Sequence, residues 1–228
     1  MSKHLSKEEL QTDPLIANVQ RASAFFNENR TVILAVLIGW IVVIGSLIGY
    51  RYYSSAQEGK AQEFLATAEN YYRIGDYDRA LNGDSFELTY GFVAIANDFS
   101  GTNAGNLALY YASVSSFKLG NIEDALDYFS RYNAPDGILG VGPISYHASI
   151  LKANGSLQKA AETYLKAANW DINDSTTPYN LYKAAETYFE LGNTVKALEI
   201  ADQILEDYPD GDQAVNTQKL SGMISVSL

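Results

Sequence analysis

The sequence predicts an all-α protein in which one apolar helix near the amino terminus precedes a row of helical hairpins. Three observations support this fold class. Residues 31–50 form an uncharged apolar run, four glycines recur at intervals of 45, 35 and 37 residues, and no stretch alternates apolar and polar residues as a strand would. A chain of 228 residues holds at most about two domains.

The anchor prediction rests on Thr31 to Tyr50, a run without charge that is bounded by Arg30 and Arg51. A helix of that length spans the roughly 30 Å hydrocarbon core of a bilayer. A cleavable signal peptide has a shorter apolar core nearer the terminus, and a buried soluble helix that is apolar all round needs a larger protein around it. We therefore predict one transmembrane helix over 31–50, followed by a helical stalk over 51–60.

A short amphipathic helix is predicted in the tail, residues 1–30. Thr12 and Asp13 are suited to cap a helix that Pro14 opens, and one face then carries an apolar stripe: Leu15, Val19, Ala22 and Phe26. Such a helix either rests on the inner leaflet or docks to a membrane partner.

The predicted anchor gathers small residues on about a third of its circumference, namely Ala35, Gly39, Gly45, Ser46 and Gly49. Small residues allow membrane helices to approach closely, and Gly45 and Gly49 form a GxxxG pair. We expect this face to pack against another membrane helix. The alternative is that glycines are simply frequent in membrane helices.

After the anchor, the same glycine-centred turn recurs four times, at Gly75, Gly120, Gly155 and Gly192. Five residues after each glycine stands an alanine: Ala80, Ala125, Ala160 and Ala197. Seven residues before each stands another small residue: Ala68, Ser113, Ala148 and Ala185. Small side chains at these two places let paired antiparallel helices pack closely, and glycine supplies the backbone freedom for the turn.

This pattern resembles the tetratricopeptide repeat, which implies an α-solenoid of about four helical hairpins over residues 61–228. Large residues nine positions after the glycine, Phe129 and Tyr164, and the closing Pro209 belong to the same pattern. The first interval is about eleven residues longer than the roughly 34-residue period. There we expect a break in the second helix over residues 82–84 and a new helix from Ser85 through Ala96.

The layout as a whole resembles a narrower group, the ancillary subunit family of the SecYEG translocon. The resemblance rests on the repeats, on Phe25-Phe26-Asn27-Glu28-Asn29 before the anchor and on Tyr50-Arg51-Tyr52-Tyr53 after it. It implies a bacterial inner-membrane protein with a cytoplasmic amino terminus and periplasmic repeats. It also implies two kinds of protein partner, translocon subunits and membrane-anchored periplasmic chaperones, to which the groove residues below add nonnative client chains. The flanking charges do not decide orientation.

In the repeat family the first helix of each hairpin lines a concave groove, at positions ten, six and three before the turn glycine. The predicted protein-binding residues at these positions are Tyr72, Tyr110, Val114, Phe117, Tyr182, Glu186 and Phe189. Aromatic side chains flanked by acids suit an apolar or basic helix or an extended nonnative segment. Some of these aromatics are alternatively part of the core between repeats.

Composition argues against most enzyme chemistry. The chain has no cysteine and two distant histidines, His4 and His147, so it lacks thiol nucleophiles and a histidine cluster for a metal. The excess of 27 acidic over 16 basic residues argues against nucleic-acid binding. No nucleophile, base and orienting group can be nominated. We predict no catalytic residues, no cofactor, no metal and no small-molecule substrate.

Three motifs are given structural interpretations. Residues 137–142 are glycine-rich, and because no strand precedes them we predict an inter-repeat loop and not a phosphate cradle. Residues 206–212 are acidic but lack the register of a calcium loop, which favours a helix end followed by a final helix. His147 is expected to have a packing or surface role.

Two functions remain after these exclusions. The first is a membrane-tethered adaptor or chaperone-like module at the protein-export site. The alternative is a structural scaffold for another envelope complex that does not bind nonnative chains. A more remote possibility is a regulator that sequesters a signalling partner.

Overall fold

The computed structural model describes residues 14–226 of the chain, and within that range all regular structure is helical. Compact packing divides the chain into a unit over residues 1–56 and a unit over residues 57–228. The predicted capping residues Thr12 and Asp13 lie outside the described residues, as does His4. The all-α prediction is confirmed.

The first helix, α1, extends from Pro14 to Arg73. No helix boundary separates the tail, anchor and stalk that the sequence divides at residues 30 and 50. In the first unit the apolar side chains are uncovered, with Val32, Trp40 and Ile48 each more than 60% exposed. This is the one described helix that is long and apolar enough to cross a membrane.

Within the described residues, nine further helices build the second unit. Their bounds are α2 Tyr77–Asn82, α3 Phe92–Asp98, α4 Asn103–Lys118, α5 Ile122–Arg131, α6 Ile138–Ala153, α7 Leu157–Trp170, α8 Thr177–Glu190, α9 Thr194–Asp207 and α10 Ala214–Val226. The end of α1 with α2, then α4 with α5, α6 with α7 and α8 with α9 form four helical hairpins. Helix α10 packs mainly on α9 and closes the row.

The four predicted turn glycines all adopt positive φ, at 81°, 84°, 74° and 84° in chain order. Each turn is closed by the same pair of backbone hydrogen bonds. At the second turn, Gly120 N–H donates to the Phe117 carbonyl at 3.1 Å and Asn121 N–H donates to the Ser116 carbonyl at 2.9 Å. This pairing is the Schellman motif, which satisfies the last carbonyls of the first helix. The glycines are therefore required by the turn geometry, as the sequence predicts.

The predicted small residues lie where the paired helices touch. The four alanines after the turns and the four small residues before them are all 0% exposed. Ser113 also forms a hydrogen bond between the two helices: its hydroxyl donates to the Ala125 carbonyl on the partner helix at 2.7 Å. Larger side chains fill the spaces around these contacts, including Phe92, Ile150 and Ile204. The core thus consists of close alanine contacts with large side chains packed beside them.

The first hairpin differs in part from the prediction. Helix α2 ends at Asn82 and Gly83 adopts φ 83°, so the predicted break is confirmed, but the next helix begins at Phe92 and not at Ser85. The carboxylate of Asp84 accepts the backbone N–H groups of Phe86 and Glu87 at 2.8 and 3.3 Å. The capping side chain is therefore Asp84, and it stabilises a turn and not a new helix.

The prediction of a loop over the glycine-rich residues 137–142 is also wrong, because α6 begins at Ile138. Only Gly137 lies outside the helix, where it adopts φ 72°. Gly140 is buried, and a side chain there would collide with the Pro135 carbonyl and the Trp170 indole. Its lack of a side chain serves close packing inside a helix and not loop flexibility.

Candidate protein-binding groove

The predicted groove residues divide into two kinds by burial. Six are partly buried, with some of their surface open to solvent: Tyr72, Tyr110, Phe117, Tyr182, Glu186 and Phe189. Val114 is only 2% exposed, so its assignment to the groove surface is wrong. Its neighbours Ser113, Ser115 and Ser116 are each 0% exposed, which shows that this turn of α4 is covered by adjacent helices. Val114 is a core residue.

Tyr110 and Phe117 on α4 are joined by an aromatic residue that is not among the predicted groove residues. Both rings contact Tyr146 on α6, with centroid distances of 6.4 and 5.9 Å. The Tyr110 ring also contacts Tyr111 and Tyr132, each at 5.6 Å. Edge contacts of this kind contribute to affinity or stability beyond simple burial. Tyr146 lies nine positions before its turn glycine Gly155. The repeat pattern assigns groove residues to positions ten, six and three, so it does not predict Tyr146.

Tyr72 extends this aromatic group toward the first hairpin, because its ring and the Tyr110 ring both contact Tyr111. Its ring lies 5.5 Å from Tyr77 and 5.1 Å from Tyr111, and Tyr111 in turn stacks on Phe92 at 5.1 Å. Because Phe92 is fully buried, this group connects the surface to the core cluster of the first hairpin. Tyr182 and Phe189 of the fourth hairpin likewise pack at the edge of a core cluster.

Glu186, the one predicted acidic groove residue, lies within a small network of charges. Its carboxylate is 3.1 Å from the Lys183 ammonium and 3.7 Å from the Lys152 ammonium, and Lys152 also pairs with Glu190 at 2.7 Å. Two positive and two negative groups cancel here, so this part of the groove presents no uncompensated acidic charge. Since these side chains are partly exposed, the ion pairs contribute little to stability.

Between the second, third and fourth hairpins lies a pocket of about 360 Å³. Its walls are unusually rich in hydroxyl groups, and we call it the hydroxyl pocket. Four tyrosines contribute rings and phenol groups: Tyr110, Tyr146, Tyr164 and Tyr179. Four smaller hydroxyl residues complete most of the lining: Ser145, Ser149, Ser175 and Thr176. Gly142 and Asn180 complete it, so no lining residue carries a formal charge.

Burial favours the neutral form of three of the pocket tyrosines. It raises the pKa of Tyr110, Tyr146 and Tyr164 to about 12 in each case, with neighbouring tyrosines or Glu186 adding smaller effects. At physiological pH these phenol groups therefore carry their protons and can donate hydrogen bonds. The wall of the pocket offers neutral donors and acceptors.

His147, on the same helix as Tyr146, has a packing role. Its ring stacks on Phe129 with centroids 4.2 Å apart. Burial lowers the pKa of His147 to about 4, and the nearby Lys166 ammonium acts in the same direction. The neutral ring therefore contributes an aromatic contact between α5 and α6. In the part of the chain that the structure describes, no three or more His, Cys, Asp or Glu side chains converge to hold a metal.

The predicted packing face of the anchor lies on the uncovered part of α1. Ala35 and Ser46 are exposed, and a methyl group added at Gly39, Gly45 or Gly49 would meet no atom within 4 Å. The small residues therefore leave a shallow open strip within the first unit. Whether a partner helix covers that strip stays a prediction.

Comparison with known proteins supports the fold and one repeat directly. The tetratricopeptide-repeat family profile matches residues 179–211, which comprise most of α8 and all of α9. No curated protein matches the sequence.

Two solved structures have the same kind of fold. Both are crystal structures of nearly identical TPR-like repeats of a putative kinesin light chain from Podosopora anserina, one of them carrying a single substitution. Each superposes with a TM-score of 0.56 at 11% identity, covering 73% of this chain and 85% or 86% of the other. At that identity the likeness shows the fold alone. The chain therefore has a TPR-like solenoid, an architecture that indicates a protein–protein interaction module.

Proposed function

We propose that this protein is a membrane-anchored adaptor or chaperone-like module that holds polypeptide partners at a bacterial protein-export site. The observation that carries the binding role is the aromatic group formed by Tyr110, Phe117 and Tyr146. These three rings come from the first helices of successive hairpins and retain open surface. Partly exposed aromatic side chains in a concave surface are typical binding anchors.

The groove suits partners that bind by burial and hydrogen bonding more than by charge. The ion pairs around Glu186 are already satisfied within the protein, and the adjoining pocket is uncharged. Tyrosine rings offer both an apolar face and a hydroxyl group, which allows them to contact varied segments of an unfolded or extended chain. A chaperone-like module requires such tolerance.

The membrane anchor and the resemblance support the proposed location. In this proposal the tail faces the cytoplasm, the repeats face the periplasm, and the anchor lies in the inner membrane beside translocon subunits. Tethering a weak binding groove at the exit of a channel raises the effective concentration of its clients. Moderate affinity would then be sufficient for capture.

Orientation can be tested with protease added to spheroplasts. Residues 61–228 should be digested when the outer membrane is opened and the inner membrane is intact. If the repeats survive until the inner membrane is lysed, the proposed orientation is wrong.

Partners can be identified by photocrosslinking from the intact membrane. A photoreactive phenylalanine analogue is placed at Phe117 or Tyr182 in the groove, and at exposed Gln158 on α7 as a control. Crosslinks to translocon subunits, periplasmic chaperones or nascent exported chains, formed from the groove sites and not from the control, support the proposal. Crosslinks to one other defined envelope complex instead would favour the scaffold function and contradict the export role.

A further inference from the structure

The deepest residue of the hydroxyl pocket is Asn180 on α8, which is 1% exposed. Its side-chain amide nitrogen donates to the Thr176 carbonyl at 2.9 Å. The same carbonyl also accepts the backbone N–H of Asn180, at 3.1 Å. The Asn180 Oδ1 atom is buried and accepts no hydrogen bond from the described residues. A buried acceptor without a donor is a rare and costly feature of a folded protein.

A second buried group belongs to another residue that lines the same pocket. The phenol oxygen of Tyr146 is buried and has no hydrogen-bond partner among the described residues. The two groups lie on different helices, α6 and α8, so a single local irregularity does not explain both. Two residues that line one pocket each carry an unsatisfied buried group, which points to a ligand that satisfies them.

The chemistry of the pocket restricts what that ligand can be. Asn180 Oδ1 requires a donor, whereas the neutral phenol groups of Tyr110, Tyr146 and Tyr164 have protons to donate and therefore require an acceptor. A carboxylate or an ammonium group would lose its hydration without meeting an opposite charge on the pocket wall. An aliphatic group would leave Asn180 Oδ1 unsatisfied. A carboxamide offers two N–H donors and one carbonyl acceptor in a single uncharged group.

Depth distinguishes a side chain from a backbone. Asn180 is almost fully buried, while Tyr179 beside it is 44% exposed and lies at the surface. A peptide backbone that follows the surface of the groove stays at the level of Tyr179, so a side chain is needed to reach Asn180. Glutamine and asparagine carry the required carboxamide on a side chain.

We propose that the hydroxyl pocket is a carboxamide subsite that receives a glutamine or asparagine side chain of a polypeptide bound in the groove. This inference rests on the proposed polypeptide-binding function, and it adds a residue preference to a groove that otherwise binds by aromatic contact. In this proposal Asn180 Oδ1 accepts an amide N–H of the bound side chain, and the tyrosine rings enclose its methylene groups.

Blocked single amino acids can test the preference. The full chain in detergent micelles is titrated with N-acetyl-glutamine methylamide, and binding is followed by saturation-transfer NMR of the probe. The matched probes are the glutamate and leucine analogues, which share the backbone amides and nearly the same size. Glutamine should bind at least about tenfold more tightly than either, which corresponds to about 1.4 kcal/mol. Equal binding of the three probes, or no binding of the glutamine probe, would overturn the subsite.

Two variants localise the effect. Asn180→Leu should abolish the preference for glutamine, and Ser145→Trp, from a partly buried position at the pocket wall, should block all three probes. Asn180→Leu should also keep or raise the melting temperature, because it removes an unsatisfied acceptor while the Thr176 carbonyl keeps its backbone partner. A glutamine preference that persists in both variants would place the binding elsewhere and contradict the proposal.

The outcomes separate this inference from the proposed function. Equal binding of the three probes to the unaltered protein, together with groove crosslinks that persist in Asn180→Leu, would reject the subsite and leave the polypeptide groove intact. If the groove sites of the otherwise unaltered protein form no crosslinks, the proposed function itself is rejected. N-acetylglucosamine serves as a neutral sugar probe, and tighter binding of that sugar than of the glutamine probe would also overturn the carboxamide assignment.

Discussion

Asn106 and Asn133 are joined by two reciprocal hydrogen bonds. The side-chain nitrogen of Asn106 donates to the Asn133 carbonyl at 2.8 Å, and the Asn133 backbone N–H donates to Asn106 Oδ1 at 2.9 Å. One amide side chain on α4 thus satisfies both backbone groups of a residue in the loop after α5. This pair holds the entrance to the third hairpin against the second, next to the wall of the proposed groove.

Replacing Asn106 with alanine should destabilise the protein by about 1–2 kcal/mol, because both hydrogen bonds are lost in a partly exposed setting. Chemical denaturation of the full chain in micelles measures the change. Asn103→Ala is the matched control, since the exposed Asn103 side chain has no such pair, and it should change stability by less than about 0.5 kcal/mol. Equal effects of the two substitutions would show that the pair contributes nothing specific.

Two helical glycines should respond to alanine in opposite directions. Gly140→Ala should destabilise by about 2 kcal/mol or more, because the added methyl group collides with the Pro135 carbonyl and the Trp170 indole. Gly222→Ala in α10 should stabilise by about 0.5–1 kcal/mol, because open space surrounds that exposed position and alanine favours the helix. Thermal melting of both variants distinguishes them. A neutral Gly140→Ala would mean that α6 does not pack as described.

Substitutions of groove aromatics should reduce partner binding, whereas substitutions of core residues should reduce stability. We expect the pair Tyr110→Ala with Phe117→Ala, and the pair Tyr182→Ala with Phe189→Ala, to weaken partner binding by roughly thirtyfold or more. Their melting temperatures should change little. Val114→Ala should instead cost about 2 kcal/mol of stability, because Val114 is buried. A large drop in melting temperature for the aromatic variants, with binding retained, would return those residues to the core.

Stability should fall on acidification through the window in which His147 becomes charged. Its pKa is about 4 in the folded protein against 6.5 when unfolded, so the unfolded chain binds more protons between these values. The contribution is complete above pH 6.5 and disappears as the pH falls toward 4. Solvent screening of this partly exposed ring limits the effect to about 2 kcal/mol or less. His147→Phe, which retains the stack on Phe129, should flatten this part of the pH profile of unfolding, and an unchanged profile would contradict the prediction.

The small residues of the anchor should matter for association and not for insertion. Replacing Gly39, Gly45 and Gly49 with leucine fills the open strip on α1 and should abolish co-purification of the membrane partner while membrane extraction is unchanged. Leucine at Val36, Val43 and Ile44, exposed positions that are already apolar, provides the control. If the glycine variant still co-purifies its partner, the anchor is a tether only.

The repeat pattern could be predicted from sequence because local backbone geometry requires particular residues. A turn with positive φ favours glycine, and a contact between two helix backbones favours alanine or serine, so Gly120 and Ala125 reveal their positions directly. The same reasoning misjudged Gly140, because a glycine that packs against Trp170 is indistinguishable in sequence from one in a loop. Tertiary contact decides between them.

The groove was less predictable for the same reason. Whether Val114 faces solvent depends on how the neighbouring helices cross α4, and the identity of the side chain alone does not determine that. The hydroxyl pocket requires Tyr146, Tyr164 and Asn180 to meet from three helices, and their spacing in sequence shows no periodic relation. A site assembled from several hairpins appears only when their packing is known.

The inserted segment of the first hairpin leaves and rejoins the repeat at one place. A side chain at Gly83 would collide with the Thr89 carbonyl and the Gly91 nitrogen, and one at Gly91 would collide with the backbone of residues 81–83. The two ends of the inserted segment are therefore in contact. Its length is therefore uncoupled from the spacing of the helices on either side. During divergence such a detour can grow, shrink or change its tip while the hairpins keep their stacking, which makes it a natural place for lineages to vary.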